Sequence, residues 1–153
     1  MTNEEHGSRE PHDRWPRPAL TVDVAALVRE TPLRVLLVQR GGPPFAGEWA
    51  LPGGFVEEGE IVAAAAAREL VEETGIEADD LLLLGVYSAP GRDPRGWTVS
   101  IAYTLELDAE LAAEGGDDAA SARWFGVDEL PPLAFDHAQI VSEAIAAVRS
   151  RLR

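Results

Sequence analysis

Residues 54–76 read GFVEEGEIVAAAAARELVEETGI, and this stretch decides the fold. It predicts a helix over Glu60–Thr74. Five consecutive alanines, Ala63 to Ala67, have the highest helix propensity, and Gly75 suits the left-handed position that ends a helix. Ala64, Ala67, Leu70 and Val71 form an apolar stripe whose small side chains would let the helix lie close to a sheet. Glu69, Glu72 and Glu73 stand at i, i+3 and i+4, so their carboxylates share a face. Like charges at this spacing cost about 0.2–0.5 kcal/mol per pair. The negative end of the helix dipole adds to that cost. Arg68 can pair with Glu72 four residues on, but one guanidinium cannot balance three carboxylates. The placement suits a hard divalent cation such as Mg²⁺, which takes oxygen ligands and keeps several waters. No His or Cys lies nearby, which argues against zinc. A Glu-rich face bathed in water is the other reading of the triplet taken alone.

The charge around this helix is lopsided. Glu48 to Asp80 holds ten acids and one base, Arg68, and carries −9 of the chain's net −14. All 13 cations of the 153 residues are arginines. Such an acidic chain is expected to bind neither a nucleic-acid polymer nor an anionic membrane. The chain has no cysteine, which excludes disulfides, thiolate catalysis and Cys-based metal sites. No apolar run approaches the roughly 18 residues of a membrane span, and the polar N-terminus lacks a signal peptide's apolar core. A cytoplasmic protein is expected.

Outward from the helix, the pattern is that of one α/β domain. Residues 1–18 hold three prolines and no periodicity and are expected to form a flexible tail, with the domain over 19–153. LTVDVAALVRE from Leu20 and RVLLVQR from Arg34 read as strands, and residues 41–54 as an irregular Gly- and Pro-rich loop. LLLLGVYSAP, the clear strand Trp97–Leu107 and the short ARWFGV supply further strands. Asp136 is expected to cap a final helix carrying Ile140, Val141, Ala144, Ile145, Val148 and Leu152 at helical spacing.

Gly54, Glu60, Arg68, Glu69, Leu70, Glu72, Glu73, Gly75 and Ile76 together resemble the signature of the Nudix hydrolases at every defined position. The resemblance implies an α/β/α sandwich around a mixed β-sheet, extending from about Leu20 to Leu152. It implies that Glu69, Glu72 and Glu73 hold Mg²⁺, or Mn²⁺, which would bridge a diphosphate and activate water. Gly53 and Gly54 are read as positive-φ residues that let the loop turn into the helix. Glu60 would accept backbone N–H bonds or reach toward the metal, and Arg68 would orient a neighbouring carboxylate. Glu57 and Glu58 are read as loop charge.

The signature leaves the group attached to the nucleoside diphosphate unnamed, and three further segments bear on it. In SAPGRDPRGWTVSIAY, Arg92 and Arg95 flank Asp93 and Pro94; they would either face phosphate or form an internal Arg–Asp pair in an exposed loop. The segment is similar to one in the ADP-ribose pyrophosphatases of the family, as is Pro90, fifteen residues beyond Gly75. In EGGDDAASARWF, Asp117 and Asp118 are either a solvated loop or, as in some members of that branch, the source of a general base; Glu72 or Glu73 could serve instead. In LAFDHAQIV, His137 is read as structural rather than catalytic. Phe45, Trp49, Tyr87 and Trp97 are candidates to stack on adenine, Trp124 is assigned to the core, and Arg40 and Trp49 could border the site.

The leading expectation is therefore a Mg²⁺-dependent pyrophosphohydrolase acting on ADP-ribose, giving AMP and ribose 5-phosphate. Expected catalytic residues are Glu72, Glu73, Arg68 and Asp118, and expected substrate-binding residues are Arg40, Trp49, Arg92, Arg95 and Trp97. The same chemistry on a nucleoside triphosphate, NADH or a nucleotide sugar is the alternative, and a nucleotide-sensing module a further one. The resemblance also implies a homodimer.

Overall fold

The computed structural model describes residues 15–116 and 119–153, the side chains of residues 119 and 120 excepted. Among the described residues nine elements follow in order: β1 (Ala19–Val28), β2 (Arg34–Arg40), β3 (Trp49–Ala50), β4 (Gly53–Phe55), α1 (Val62–Thr74), β5 (Leu82–Tyr87), β6 (Thr98–Leu107), β7 (Ala119–Gly126) and α2 (His137–Arg151).

The seven strands form one mixed sheet. β1 lies parallel to β6 along its whole length, from Ala19 against Thr98 to Val28 against Leu107. On its other side it divides its pairing. Thr21–Asp23 pair antiparallel with β4, and Leu27–Val28 pair antiparallel with β2. β2 also carries β3 and β7, and β5 closes the far edge against β6.

Strand alternation explains the two cores. Val22, Val24, Ala26 and Val28 turn one way and pack with Ala65, Ala66 and Leu70 of α1, along with Tyr103, Leu105 and Trp124. Ala25 and Leu27 turn the other way and pack with Ile140, Val141, Ala144 and Val148 of α2. The sheet thus has a helix on each face, which is the expected α/β/α sandwich.

Several local expectations are corrected. The 41–54 loop contains two short strands, because β1 and β2 offer it free backbone groups. On α1 the buried residues are Ala65, Ala66, Leu70 and Thr74, while Ala64 and Val71 face water. The helix starts at Val62, two residues late, and turns Ala65 and Ala66 rather than Ala64 and Ala67 to the sheet. Gly75 does end it, at φ 76°. Asp136 precedes α2 but makes no capping hydrogen bond, because its carboxylate is taken by Arg92. Trp124 is core, with Nε1–H donating to the Leu111 carbonyl.

Candidate active site

Where β1 parts from β4 to join β2, a cleft of about 790 Å³ opens. This is within the range of small-molecule sites. α1 supplies one wall, the 92–95 loop and Arg40 supply the other, and Asp23 and His137 lie at its floor.

Arg68 organises the α1 wall. Its guanidinium donates to both oxygens of Glu60, at 2.7 and 2.9 Å, and to the Phe55 carbonyl at 3.1 Å. A further nitrogen bridges Glu69 Oε1 at 2.8 Å and Glu72 Oε2 at 3.1 Å. The Arg68 hydrogen bonds and that from the Glu57 amide hold the Glu60 carboxyl down at about 2. Glu60 is thus a partner of Arg68 and of the backbone.

Glu73 is left outside this grip. Its Oε2 accepts a hydrogen bond from the Gly53 amide at 3.1 Å. Burial pushes its carboxyl up to about 8, with Glu69 and Asp23 adding to the effect against that hydrogen bond. Burial also raises the Glu69 carboxyl, in spite of Arg68. Neither Gly53 nor Gly54 has positive φ, which corrects the sequence reading. Their role is close approach. A Cβ on Gly53 would stand 2.1 Å from the Val22 carbonyl oxygen, and one on Gly54 2.5 Å from the Glu69 carboxylate.

The opposite wall is cationic and aromatic. Arg40 donates to the Pro44 carbonyl at 2.7 Å and lies 4.9 Å over the Phe135 ring. Arg95 lies 5.1 Å over Phe55 and 5.5 Å over Phe135. Burial, then the nearby Arg95 charge, lowers the Arg40 guanidinium below its ordinary value. Phe135 itself has φ 53°, a conformation that bulky residues rarely adopt. Arg95 pairs with Asp93 yet keeps 42% of its side chain exposed. Arg92 is buried and forms a fork-to-fork pair with Asp136 at 2.6 and 2.9 Å.

At the floor, Asp23 is buried between Ser100, whose hydroxyl donates to Oδ2, and His137, whose Nε2 lies 3.3 Å from Oδ1. Burial alone would raise the Asp23 carboxyl; its pairing with His137 and the hydrogen bond from Ser100 outweigh it. His137 Nδ1 accepts the Leu51 amide at 2.9 Å.

The structure thus brings Arg68, Glu69, Glu72, Glu73, Arg40, Arg92 and Arg95 to one cleft. Glu57 lines it too. It does not bring Trp49 or Trp97 there. Trp49 packs edge-on against Phe125, 4.8 Å away, under Arg123, and Trp97 stands 55% exposed before β6. Of the other aromatic candidates, Tyr87 donates its hydroxyl to Glu143 and Phe45 packs edge-on to Phe135. Asp117 and Asp118 lie outside the described residues. Their neighbour Gly116 donates to the Glu73 carbonyl at 3.0 Å.

Sequence reasoning missed Asp23, Phe55 and Phe135. A signal existed for Asp23, a lone carboxylate in the otherwise apolar strand TVDVAALV. Phe55 and Phe135 carried none, since their places depend on loop conformation.

A divalent cation fits this donor set in kind. The α1 wall offers oxygen only, and two of its carboxyls are pushed up by burial. Arg68 and Gly53 occupy one oxygen each of Glu69, Glu72 and Glu73. Among the described residues no three acids or imidazoles stand gathered as a ready-made metal cluster. Arg68 lies between Glu69 and Glu72 in this arrangement.

A mixed sheet between two helices, with this carboxylate helix at its cleft, defines a family. The Nudix domain model matches residues 19–145, and the chain belongs to the Nudix family of hydrolases. An ADP-ribose pyrophosphatase of Methanocaldococcus jannaschii is 48% identical over 127 residues, covering 82% of this chain and 72% of that protein. The ADPR responsive transcriptional repressor NtrR of Acinetobacter baylyi is 33% identical over 144 residues, and there the match spans 91% of this chain but only 58% of the relative. The Nudix domain of Shewanella oneidensis NrtR, solved complexed with ADP ribose, superposes with a TM-score of 0.82 at 32% identity, covering all of both chains.

Proposed function

We propose that this chain hydrolyses the diphosphate of ADP-ribose to AMP and ribose 5-phosphate. The observation that carries the reading is the pairing of opposite walls: Glu69, Glu72 and Glu73 on α1 face Arg40 and Arg95 across one cleft. A dianionic diphosphate fits between them, its oxygens turned to the guanidiniums. The 48% identical pyrophosphatase and the ADP ribose complex of the Shewanella domain support the choice of ligand.

Nudix enzymes generally use divalent metals. Glu69, Glu72 and Glu73 would hold Mg²⁺ here, and the ion would neutralise diphosphate charge and lower the pKa of attacking water. The chain's own residues then do the rest. Arg68 holds Glu69 and Glu72 in place. Arg40 and Arg95 orient the diphosphate and offset charge on its oxygens as the P–O bond breaks. The water oxygen joins phosphorus, its proton passes to a carboxylate, and the phosphate released carries the electron pair of the broken bond. Glu73 is one candidate for this proton transfer, since it lines the cleft and a bound cation would keep its carboxyl ionised. Asp118 is the second candidate for the base. The reading extends to a homodimer and a cytoplasmic place, to be tested by sedimentation and by fractionation of cells. No described helix is long and apolar enough to cross a membrane.

The test is a substrate panel with Mg²⁺, in which ADP-ribose should yield AMP faster than triphosphates, NADH or nucleotide sugars. ADP-ribose left intact beside an active triphosphate overturns the substrate. The similarity to the Acinetobacter repressor favours a second reading, ADP-ribose sensing. Tight ADP-ribose binding without turnover in Mg²⁺ would select it.

A further inference from the structure

The segment Leu51–Gly53 hangs between two anchors that come from opposite faces of the sheet. On one side the Leu51 amide donates to His137 Nδ1, at the first turn of α2, at 2.9 Å. On the other the Gly53 amide donates to Glu73 Oε2, near the end of α1, at 3.1 Å. Between them the Pro52 carbonyl accepts the Val24 amide at 2.8 Å. Gly53 is pressed so close to β1 that a Cβ would stand 2.1 Å from the Val22 carbonyl and 2.6 Å from Asp23 Oδ1. The segment therefore has little room to move unless an anchor is lost.

The His137 anchor is itself fixed. An imidazole nitrogen that accepts an amide N–H carries no proton, so Nδ1 presents its lone pair to Leu51 and the ring proton sits on Nε2, toward Asp23 Oδ1 at 3.3 Å. Ser100 holds the other oxygen of Asp23 from β6. His137 and Asp23 are 4% and 6% exposed. Asp23, His137 and the Leu51 amide thus run as a chain of fixed donors and acceptors ending two residues before Gly53.

We propose that Asp23 and His137 are positioning residues for Glu73: they set the tautomer and place of the imidazole, which holds Leu51–Gly53 so that the Gly53 amide stays on the Glu73 carboxylate. The proposal rests on the reading of Glu73 as part of the catalytic wall. It assigns His137 no contact with substrate. Its logic is that of outer partners that orient ligating groups, whose loss commonly costs about 10–100-fold in activity or metal affinity.

Two substitutions divide the imidazole's functions. His137→Asn keeps an acceptor near the place of Nδ1 and gives up the contact with Asp23. His137→Gln keeps a donor near the place of Nε2 and gives up the acceptor for Leu51. The amide exchange of Gly53, read by NMR on the full chain without metal or substrate, reports the Glu73 contact directly. His137→Gln should lose most protection at Gly53 and lower kcat on ADP-ribose about 10–100-fold with KM within about threefold. His137→Asn should recover protection and most of the turnover. Nitrogen-15 shifts of the wild-type ring should show a bare Nδ1 and a protonated Nε2. Val148→Ala, which loosens α2 packing outside the cleft lining, should lower Tm without changing Gly53 exchange or kcat. Protection retained at Gly53 in His137→Gln, an Asn variant as impaired as the Gln variant, or a proton on Nδ1 would each overturn the proposal. If the wild type fails to cleave ADP-ribose, the functional reading falls, while the exchange and nitrogen-15 measurements still decide the positioning.

Discussion

Arg68 grips Glu60 with two hydrogen bonds, 2.7 Å from Nε and 2.9 Å from a terminal nitrogen, while its other terminal nitrogen reaches Glu69 and Glu72. One planar cation therefore fixes three carboxylates and the Phe55 carbonyl. A lysine has a single ammonium and cannot reproduce that fork. Arg68→Lys should lower kcat on ADP-ribose by about tenfold or more, the range expected when an orienting partner is lost. Steady-state kinetics check this, and wild-type turnover in the lysine variant would show that the fork is dispensable.

The burial of Glu73 gives a pH signature. Its carboxyl sits at about 8 in the fold against an ordinary 4.5, so the folded chain binds this proton more tightly than the unfolded one. The stabilisation is complete below pH about 4.5 and is lost as pH rises through about 8. Urea unfolding of the metal-free protein should therefore show a contribution that declines across this window. Glu73→Gln should remove that decline, keep a native circular dichroism spectrum and abolish most turnover. A Gln variant with an unchanged pH profile would contradict the buried-acid assignment.

Cation binding should release protons. A divalent ion beside Glu73 favours its ionised form, so at pH 7 loading with Mg²⁺ must expel the proton that burial retains. Calorimetric titrations in buffers of different ionisation enthalpy measure the count. Close to one proton is expected for the wild type and close to none for Glu73→Gln; equal release from both would place the titration elsewhere. Chelation should stop hydrolysis reversibly.

The two arginines of the 92–95 loop should differ in their effect on KM. Arg95 is half exposed in the cleft, so Arg95→Ala should raise KM for ADP-ribose, and it should also cost stability because the buried Asp93 keeps only the Arg95 amide. Arg92 is buried against Asp136, and removing it leaves a carboxylate without its partner. Arg92→Ala should cost about 3–5 kcal/mol of folding free energy. Denaturation midpoints and KM values for the two variants separate the roles, and a KM effect confined to Arg92 would reverse them.

What could be read from the sequence was what is local. The spacing of Glu69, Glu72 and Glu73, the alanine run and Gly75 specify α1 within its own turn geometry, and the strands of residues 19–28 and 98–107 follow from alternation. The parts that escaped depend on remote partners. β3 and β4 are strands because β2 and β1 pair with them, not because Trp49–Phe55 has a strand pattern. Asp136 looked like a cap until Arg92, 44 residues away, claimed its carboxylate. Trp49 fell outside the cleft because Phe125 on β7 offered it a packing partner. Asp23 acquired its place only when α2 delivered His137 over it.

The placement of Asp23 in β1 has a consequence for folding accuracy. β1 feeds alternate side chains to the two hydrophobic layers, and its backbone is matched to β6 over ten residues. Sheets tolerate sliding errors where both faces are alike, and both faces of β1 are largely small aliphatic. A one-residue slide would exchange the faces, turning Asp23 into the layer of Val22, Val24 and Leu70, away from Ser100 and His137. Burying that unpaired charge is far costlier than any mismatch among valines and alanines. The carboxylate at the floor of the cleft is therefore also a registration mark, which disfavours the misaligned sheet.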